Sequence, residues 1–193
     1  MKLPLILTHL LLGALLCVCC QRKPSSAEAV NAVIGDVSYV RKFGTEPTAT
    51  TNEHLRITAH FQYVEAFLQR KGTRALTNRQ RRNRYHALKL LRNYWMAGQY
   101  PANYDFPHER RPCFIDRTGR PCAVAYLIEQ TAGRELAEQI NARHQYDRIE
   151  DIRTPEFLRW VKSSGFAIDE LAMIQPTYGP ATAAAQRAIA AKR

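Results

Sequence analysis

Two cysteines outside the N-terminal apolar run, Cys113 and Cys122, are the residues whose types and spacing point most directly to chemistry. They lie in the stretch 110–133, where strand, turn and helix signals are close together. Two thiols on either side of a turn can form a disulfide, which stabilises the fold by constraining the unfolded chain. Alternatively, Cys122 lies where a helix begins, and the helix dipole there favours the thiolate that a nucleophile needs. His108 is then the candidate base, and an inert free thiol is a third interpretation.

The segment between the cysteines is predicted to be a short strand and a tight turn, followed by a helix that Gly133 ends. The Asp116 side chain can bond the backbone two residues on, and Gly119 can take a positive φ without strain. An even-length turn centred between Arg117 and Thr118 would place the cysteines opposite each other. We therefore favour the disulfide over the two free-thiol alternatives.

The first twenty residues have the pattern of a signal peptide, in which Lys2 precedes the apolar run Leu3–Cys20 and polar residues follow at once. Cysteines that close such a run are typical of a bacterial lipoprotein, whose mature N-terminal cysteine is acylated. We predict acylation of Cys20, which has the small Cys19 before it and the polar Gln21 after it. Cys19 is the alternative site. An ordinary secretory signal and an uncleaved anchor are the alternative interpretations of the whole run.

This leader predicts a bacterial cell-envelope protein held at a membrane by a lipid anchor, or alternatively a secreted protein. Both compartments are oxidising, which favours a disulfide in the mature chain. The 193 residues are 46% hydrophobic and 23% charged, as in ordinary soluble globular proteins. The chain after the leader is long enough for one domain with a sizeable core.

The charge of the chain is uneven: the formal net charge is +11, and the segment Arg70–Arg92 holds nine basic residues and no acidic residue. Four of them are predicted to form a basic collar around the first turns of a helix, and are candidates for anion binding: Arg79, Arg81, Arg82 and Arg84. Anionic lipid or lipopolysaccharide fits such a collar, and a solvated helix surface is the alternative. Nucleic acid is disfavoured, because no nucleic-acid-binding motif is present and the leader takes the protein away from the genome.

The spacing of the remaining reactive residues predicts no metal site and no cofactor. The histidines give no H-E-x-x-H motif, and the cysteines lack the spacing of zinc ligands. The chain also has no G-x-S-x-G, P-loop or dinucleotide-binding motif.

These signals divide the chain into a signal peptide of the lipoprotein type (1–20), a polar tether (21–51), a single helical domain (52–180) and an Ala-rich basic tail (181–193). The domain is predicted to be mostly α: a compact bundle of about five or six helices with one small central β-hairpin or strand–turn element. A weak apolar patch at 30–40 could add a short helix that docks on the domain.

Helix starts are indicated by the capping residues Asn52 and Thr77 and by the dipeptide Thr154-Pro155. Apolar residues at helical spacing after these starts predict the core. The residues expected there are Phe61, Leu88, Leu91, Trp95, Leu127, Trp160 and Ile174.

Several motifs are shared with a known family: Arg111-Pro112-Cys113-Phe114-Ile115-Asp116, Gly119, Cys122-Ala123-Val124, Tyr126-Leu127 and Ala172-Met173-Ile174-Gln175-Pro176-Thr177-Tyr178-Gly179. In these motifs the chain resembles an uncharacterised family of bacterial secreted proteins and lipoproteins, over roughly 52–179. It departs from the pattern at Ala125, where the family has Gly, and at Gly165-Phe166, where Gly-Leu is usual. The resemblance implies the envelope location. It implies no catalytic residue, because the family has no established activity.

Together these observations predict a membrane-anchored cell-envelope domain with a binding or structural role. The alternatives are a cysteine-dependent hydrolase or transferase that uses Cys122, and a binder of polyanions or anionic lipid through Arg70–Arg92. Whether the protein is an enzyme stays open at this point, and we favour a non-enzymatic role. Its ligand and any protein partner are not indicated by the sequence.

Overall fold

A computed structural model describes residues 29–48 and 50–181 of the chain. Its seven α-helices are α1 (Val37–Phe43), α2 (Glu53–Arg70), α3 (Asn78–Ala97), α4 (Ala123–Ala132), α5 (Arg134–His144), α6 (Pro155–Ser164) and α7 (Ile168–Ile174). A short 3-10 helix, Ile149–Asp151, lies between α5 and α6. In this part of the chain the β structure consists of isolated bridges, one of which joins Ile115 to Pro121. The mostly α fold is thus confirmed.

The helix boundaries follow the capping signals of the sequence. The Asn52 side chain accepts a hydrogen bond of 3.0 Å from the backbone N–H of Leu55 at the start of α2. Thr77 and Gln80 form a reciprocal capping box at the start of α3. Pro155 occupies the first turn of α6, where its missing N–H costs no helical hydrogen bond.

Helix α4 lies at the centre of the domain, in contact with α3, α5 and α7. Its Ala123–Ala125 segment, together with Leu127 and Ile128, is fully buried. Six of the seven predicted core residues are buried as well: Phe61, Leu88, Leu91, Leu127, Trp160 and Ile174. Trp95 is half-buried, and its indole N–H donates a 2.7 Å hydrogen bond to the Glu65 carboxylate.

The packed domain begins before α1, within the stretch expected to be a polar tether, because Ala29, Val30 and Asn31 are buried. The Asn31 amide donates hydrogen bonds to three carbonyls at the C-terminal end of α7, those of Ala172, Met173 and Gln175, at 2.6–3.1 Å. Its side-chain oxygen accepts from the backbone N–H groups of Val33 and Ile34. The segment 29–36 is therefore fixed to the domain by buried hydrogen bonds as well as by apolar contact.

His60 of α2 lies beside this contact and is fully buried. Its Nε2 lies 2.9 Å from the carbonyl oxygen of Met173, so we assign the proton to Nε2, which donates to that carbonyl. Burial lowers the pKa of His60 to about 4, although the hydrogen bond to Met173 opposes the shift. The ring is thus neutral in the folded protein and gains a proton when the chain unfolds in mild acid.

The first prediction concerns this ring. Because the pKa of His60 is lowered in the folded state, its contribution to stability is complete above the unfolded pKa of about 6.5 and is lost as the pH falls toward about 4. We expect the free energy of unfolding, measured with urea at several pH values, to fall by roughly 3 kcal/mol over this range on account of His60. His60→Gln should flatten this part of the curve, whereas His86→Gln, at an exposed position, should retain it. Parallel curves for wild type and His60→Gln would contradict the assignment.

Candidate functional site

The turn between the two cysteines has an odd number of residues. The backbone N–H of Asp116 bonds the carbonyl of Arg120 at 3.0 Å, so three residues, Arg117–Gly119, lie between the paired positions. Gly119 has a φ of 83°, which completes a three-residue turn of this kind. The expectation of an even-length turn was therefore wrong, and with it the facing arrangement of the cysteines.

Cys122 accordingly lies opposite Phe114, whose carbonyl accepts a 2.7 Å hydrogen bond from the Cys122 N–H. Cys113 lies one position before Phe114 and is out of register with Cys122. Both cysteines are free thiols in the structure, and both are buried. In the described residues no disulfide joins the two cysteines, in keeping with this offset.

The environment of Cys122 favours the thiol over the thiolate. Cys122 is the N-cap of α4, where its sulfur accepts a 3.4 Å hydrogen bond from the Ala125 N–H. Burial nevertheless raises the pKa of Cys122 to about 12, and burial also raises the pKa of Cys113. A nucleophilic cysteine needs the opposite shift and access for a substrate.

His108, the candidate base, is exposed, and in the described chain no hydrogen bond joins it to Cys122. The structure therefore does not bring the two candidate catalytic residues together. Asp116 has a structural role: its carboxylate accepts hydrogen bonds from the backbone N–H groups of Ala102, Thr118 and Arg120.

The basic collar contains one residue that the structure corrects, because Arg84 is buried. Its guanidinium forms two hydrogen bonds with the Glu170 carboxylate, at 2.7 and 3.0 Å. The same group donates to the carbonyls of Leu68 and Gly165, and it lies 4.6 Å from the ring centre of Phe166. Arg84 thus joins α3 to α7 inside the domain and is not available to an external anion.

Glu170 is the acidic partner at the centre of this cluster. Burial alone would raise its pKa, but hydrogen bonds from Arg84, from the Ala167 N–H and from Lys71 outweigh burial and lower the pKa. The carboxylate is therefore charged at neutral pH, and the buried guanidinium is paired. Lys71, also in the basic segment, lies 3.0 Å from the same carboxylate.

Arg79, Arg81 and Arg82 remain exposed near the start of α3. Among the residues that the structure describes, no carboxylate lies within 4.0 Å of their guanidinium groups. Arg81 instead donates a 2.6 Å hydrogen bond to the carbonyl of Leu76. Three of the four predicted anion-binding residues thus face solvent, and they stand where the helix dipole already adds positive potential.

A cleft of about 380 Å³ lies beside Arg79, between α3, α4 and α6. Much of its polar lining is engaged inside the protein. The Asn83 amide donates to the Ser163 carbonyl at 2.8 Å, and the indole N–H of Trp160 donates to the Thr131 hydroxyl at 2.9 Å. The exposed side chains of Arg79 and His86 line the cleft and can meet an anionic group there.

The predicted lipidation sites, Cys20 and Cys19, lie outside the described residues. Across 29–48 and 50–181, none of the helices has the length and apolar character needed to span a bilayer. The same residues contain no cluster of three or more His, Cys, Asp or Glu side chains suited to a metal ion. Comparisons of the chain with protein-family models, curated proteins and solved structures found no significant match.

The sequence contained a signal for the position of Arg84 but not for its partner. Arg84 precedes Leu88 and Leu91 by four and seven residues, so it lies on their buried face of the helix. Asn31, in contrast, was missed altogether, because a single Asn in a polar stretch has no periodic pattern to reveal it.

The second prediction compares two neighbouring arginines. Arg84→Gln should lower the free energy of unfolding by about 3–5 kcal/mol, because it leaves the Glu170 carboxylate buried without its main partner. Arg82→Gln, at an exposed position two residues away, should change it by less than about 0.5 kcal/mol. Urea unfolding of both variants measures the difference. An Arg84→Gln variant as stable as wild type would contradict the buried pair.

The third prediction concerns the thiols. Iodoacetamide added to the folded full chain near pH 8 should leave Cys113 and Cys122 unmodified, because burial restricts access and keeps both sulfurs protonated. The same reagent in urea should modify both. Peptide mapping by mass spectrometry distinguishes these sites from the leader cysteines. Rapid modification of folded Cys122, or peptides joined by a disulfide, would contradict the structure.

Proposed function

We propose that this protein is a membrane-anchored cell-envelope domain with a binding or structural role. The burial of Ala29, a short distance along the chain from the leader, carries the proposal. Ala29 is buried and lies only nine residues after Cys20, the predicted acylation site. Nine fully extended residues reach at most about 30 Å, so an anchor at Cys20 would keep the domain close to the membrane surface.

The environment of Cys122 supports a non-enzymatic role over the cysteine-dependent alternative. Its thiol is buried and has a raised pKa, whereas a nucleophile needs an exposed thiolate with a base in hydrogen-bond reach. Cys122 instead caps α4, the helix at the centre of the core.

The fourth prediction tests the anchor. The full chain, produced in a bacterial host, should be found in the membrane fraction with an acylated N-terminal cysteine, as identified by mass spectrometry. Cys20→Ala should abolish acylation, whereas the neighbouring Cys19→Ala provides the matched control and should remain acylated. The reverse pattern would move the site to Cys19. An unmodified mature chain in the soluble fraction would overturn the proposal.

A second candidate function is the binding of anionic lipid or lipopolysaccharide through α3. The exposed guanidinium groups of Arg79, Arg81 and Arg82, which have no nearby carboxylate in the described chain, favour it. Arg84 is excluded from this surface because Glu170 already neutralises its charge.

The fifth prediction tests this second candidate. The full chain should bind vesicles that contain phosphatidylglycerol more tightly than neutral vesicles, and the difference should shrink as salt is raised. The double variant Arg79→Gln, Arg82→Gln should weaken this difference, by about 1 kcal/mol per residue if both approach the surface. The matched control, Arg143→Gln with Arg153→Gln, removes the same charge at other exposed positions. Equal losses for the two pairs would indicate a general charge effect and no site on α3.

A further inference from the structure

Helix α1 presents its apolar side chains to solvent. The side chains of Val37, Val40 and Phe43 are 42%, 37% and 38% exposed, and all three lie on one side of the helix. They follow one another at intervals of three residues, so they lie within an arc of about 120° on one face. Exposed apolar residues are ordinary when scattered singly, whereas a contiguous stripe indicates an interaction surface.

Ser38 faces the domain, whereas the basic side chains of α1, Arg41 and Lys42, are exposed and reach across the surface of α2. Ser38 is buried, and the ammonium group of Lys42 donates a 2.6 Å hydrogen bond to Gln62 of α2. The guanidinium of Arg41 lies 5.2 Å from the ring centre of Tyr63, also on α2. A helix on the surface of a globular domain normally turns its apolar face inward and its polar face outward. Helix α1 departs from this rule, because its apolar stripe is exposed as well as its basic side chains.

The buried contacts of the preceding segment hold α1 in this orientation. Asp36, at the N-cap of α1, forms a 2.7 Å ion pair with the buried Arg56 of α2. Asn31 fixes the chain five residues earlier through its hydrogen bonds to the end of α7. Rotating α1 to bury its apolar stripe would break the ion pair of Asp36 with Arg56 and would move Ser38 from its buried position, so the exposed stripe is a fixed part of the fold.

The apolar stripe continues into a groove of about 800 Å³. The groove is lined by residues that precede α1, lie within it and follow it, which include Ala32, Val33, Ile34, Val40 and Pro47. Val33 is 48% exposed, and it adds a further apolar side chain beside Val37. The groove and stripe together form one apolar surface, which we call the α1 face.

The position of the α1 face in the chain identifies what covers it. The apolar run Leu3–Cys20 ends nine residues before Ala29, which is buried and lines the groove, so a membrane that holds the run or its acylated cysteine lies within reach of the α1 face. The exposed side chains of Arg41 and Lys42 add positive charge beside the stripe, which complements anionic headgroups. Two acidic residues also line the groove: Asp36 is paired with Arg56, and Glu46 leaves the exposed charge there positive on balance. Seven residues are far too few to cross a bilayer, but valine and phenylalanine side chains can enter the boundary between headgroups and acyl chains.

We infer that the α1 face docks on the lipid surface to which the leader attaches the protein. This inference rests on the proposed function and deepens it, because it gives the domain a defined orientation on the bilayer. The ligand is the headgroup–acyl boundary of an anionic bilayer. A second copy of the chain and the chain's own apolar run are the other occupants that the test must separate from lipid.

The test uses the full chain with vesicles of phosphatidylethanolamine and phosphatidylglycerol that contain a lipid with a photoreactive acyl chain. After illumination, crosslinked peptides are mapped by mass spectrometry. Outside the leader, we expect crosslinks to concentrate in the segment 33–43 and to be absent from α5, which serves as the internal reference.

Two matched variants separate docking from general hydrophobicity. Val37→Ser with Val40→Ser should reduce crosslinking of the segment 33–43 about tenfold, because it removes two of the side chains that enter the lipid. Tyr85→Ser with Met96→Ser removes apolar residues that are at least as exposed, but on α3, and should leave the crosslinking unchanged. Equal losses in the two double variants would overturn the inference.

The mass of the N-terminal peptide, measured in the same samples and in cell membranes, keeps the two proposals distinguishable. An acylated chain whose domain crosslinks lie outside 33–43 overturns docking and leaves the anchor intact. A chain that is not acylated but crosslinks through 33–43 supports docking and refutes the lipid anchor.

Hydrogen exchange without lipid addresses the other occupants. Protection of 33–43 in a dimer would assign the α1 face to a second copy, and a crosslink between 33–43 and the leader would assign it to the chain itself. Either result would overturn lipid docking.

Discussion

The buried pair between Arg84 and Glu170 is the charged interaction that joins three helices of this fold, α2, α3 and α7. Two opposite charges lie inside the domain at 2.7 Å, and each would be costly to bury alone. The guanidinium also binds the carbonyls of Leu68 and Gly165, so a single side chain of α3 links the end of α2, the turn after α6 and the start of α7. Gly165 has a φ of 81°, and a Cβ there would lie 2.5 Å from the Gln80 carbonyl oxygen. The turn can therefore approach α3 this closely only with glycine at that position.

Helix α7 is held by polar contacts at both ends, and this explains how a seven-residue helix can have a fixed place in the fold. Glu170 binds Arg84 in its first turn, and the Asn31 amide binds the carbonyls of its last turn. Helix ends leave backbone groups without helical partners, so a buried end needs such side chains. The domain thus joins its N-terminal segment to its core through buried hydrogen bonds, which specify geometry more closely than apolar contact does. The orientation of α1 is a consequence of this specificity.

Much of the fold could be predicted from the sequence, because its signals are local. Asn52 and Thr77 mark helix starts through contacts with residues three positions away, and the apolar stripes identify the core because helical periodicity is local too. The turn at Asp116 and Gly119 was also recognisable, but those residue types favour a turn without fixing whether it contains two or three residues. That difference of one residue places Cys122 opposite Phe114 and not opposite Cys113.

The candidate site was less predictable, because its decisive contacts are distant in sequence. Helical periodicity separates buried Arg84 from exposed Arg82, which lies about 200° away on the helix, but the charge partner of Arg84 is Glu170, 86 residues further on, and no local signal indicates it. The exposed apolar stripe of α1 is a similar case. The apolar residues of 30–40 were visible as a patch, and a helix there was foreseeable. The side of α1 that faces α2 is set by contacts between the two helices: Asp36 pairs with Arg56, and Arg41 and Lys42 contact Tyr63 and Gln62.

The contacts of the N-terminal segment also constrain the order in which the chain folds during its synthesis. Its hydrogen bonds join Asn31 to Ala172 and Ala29 to Thr177, positions that are 141 and 148 residues apart. These contacts cannot form until nearly the whole domain has been synthesised, and contacts so distant in sequence close slowly. Residues 29–31 therefore reach their final place only after the C-terminal part of the domain has been synthesised, whereas Asp36 can pair with Arg56, twenty residues away, much earlier.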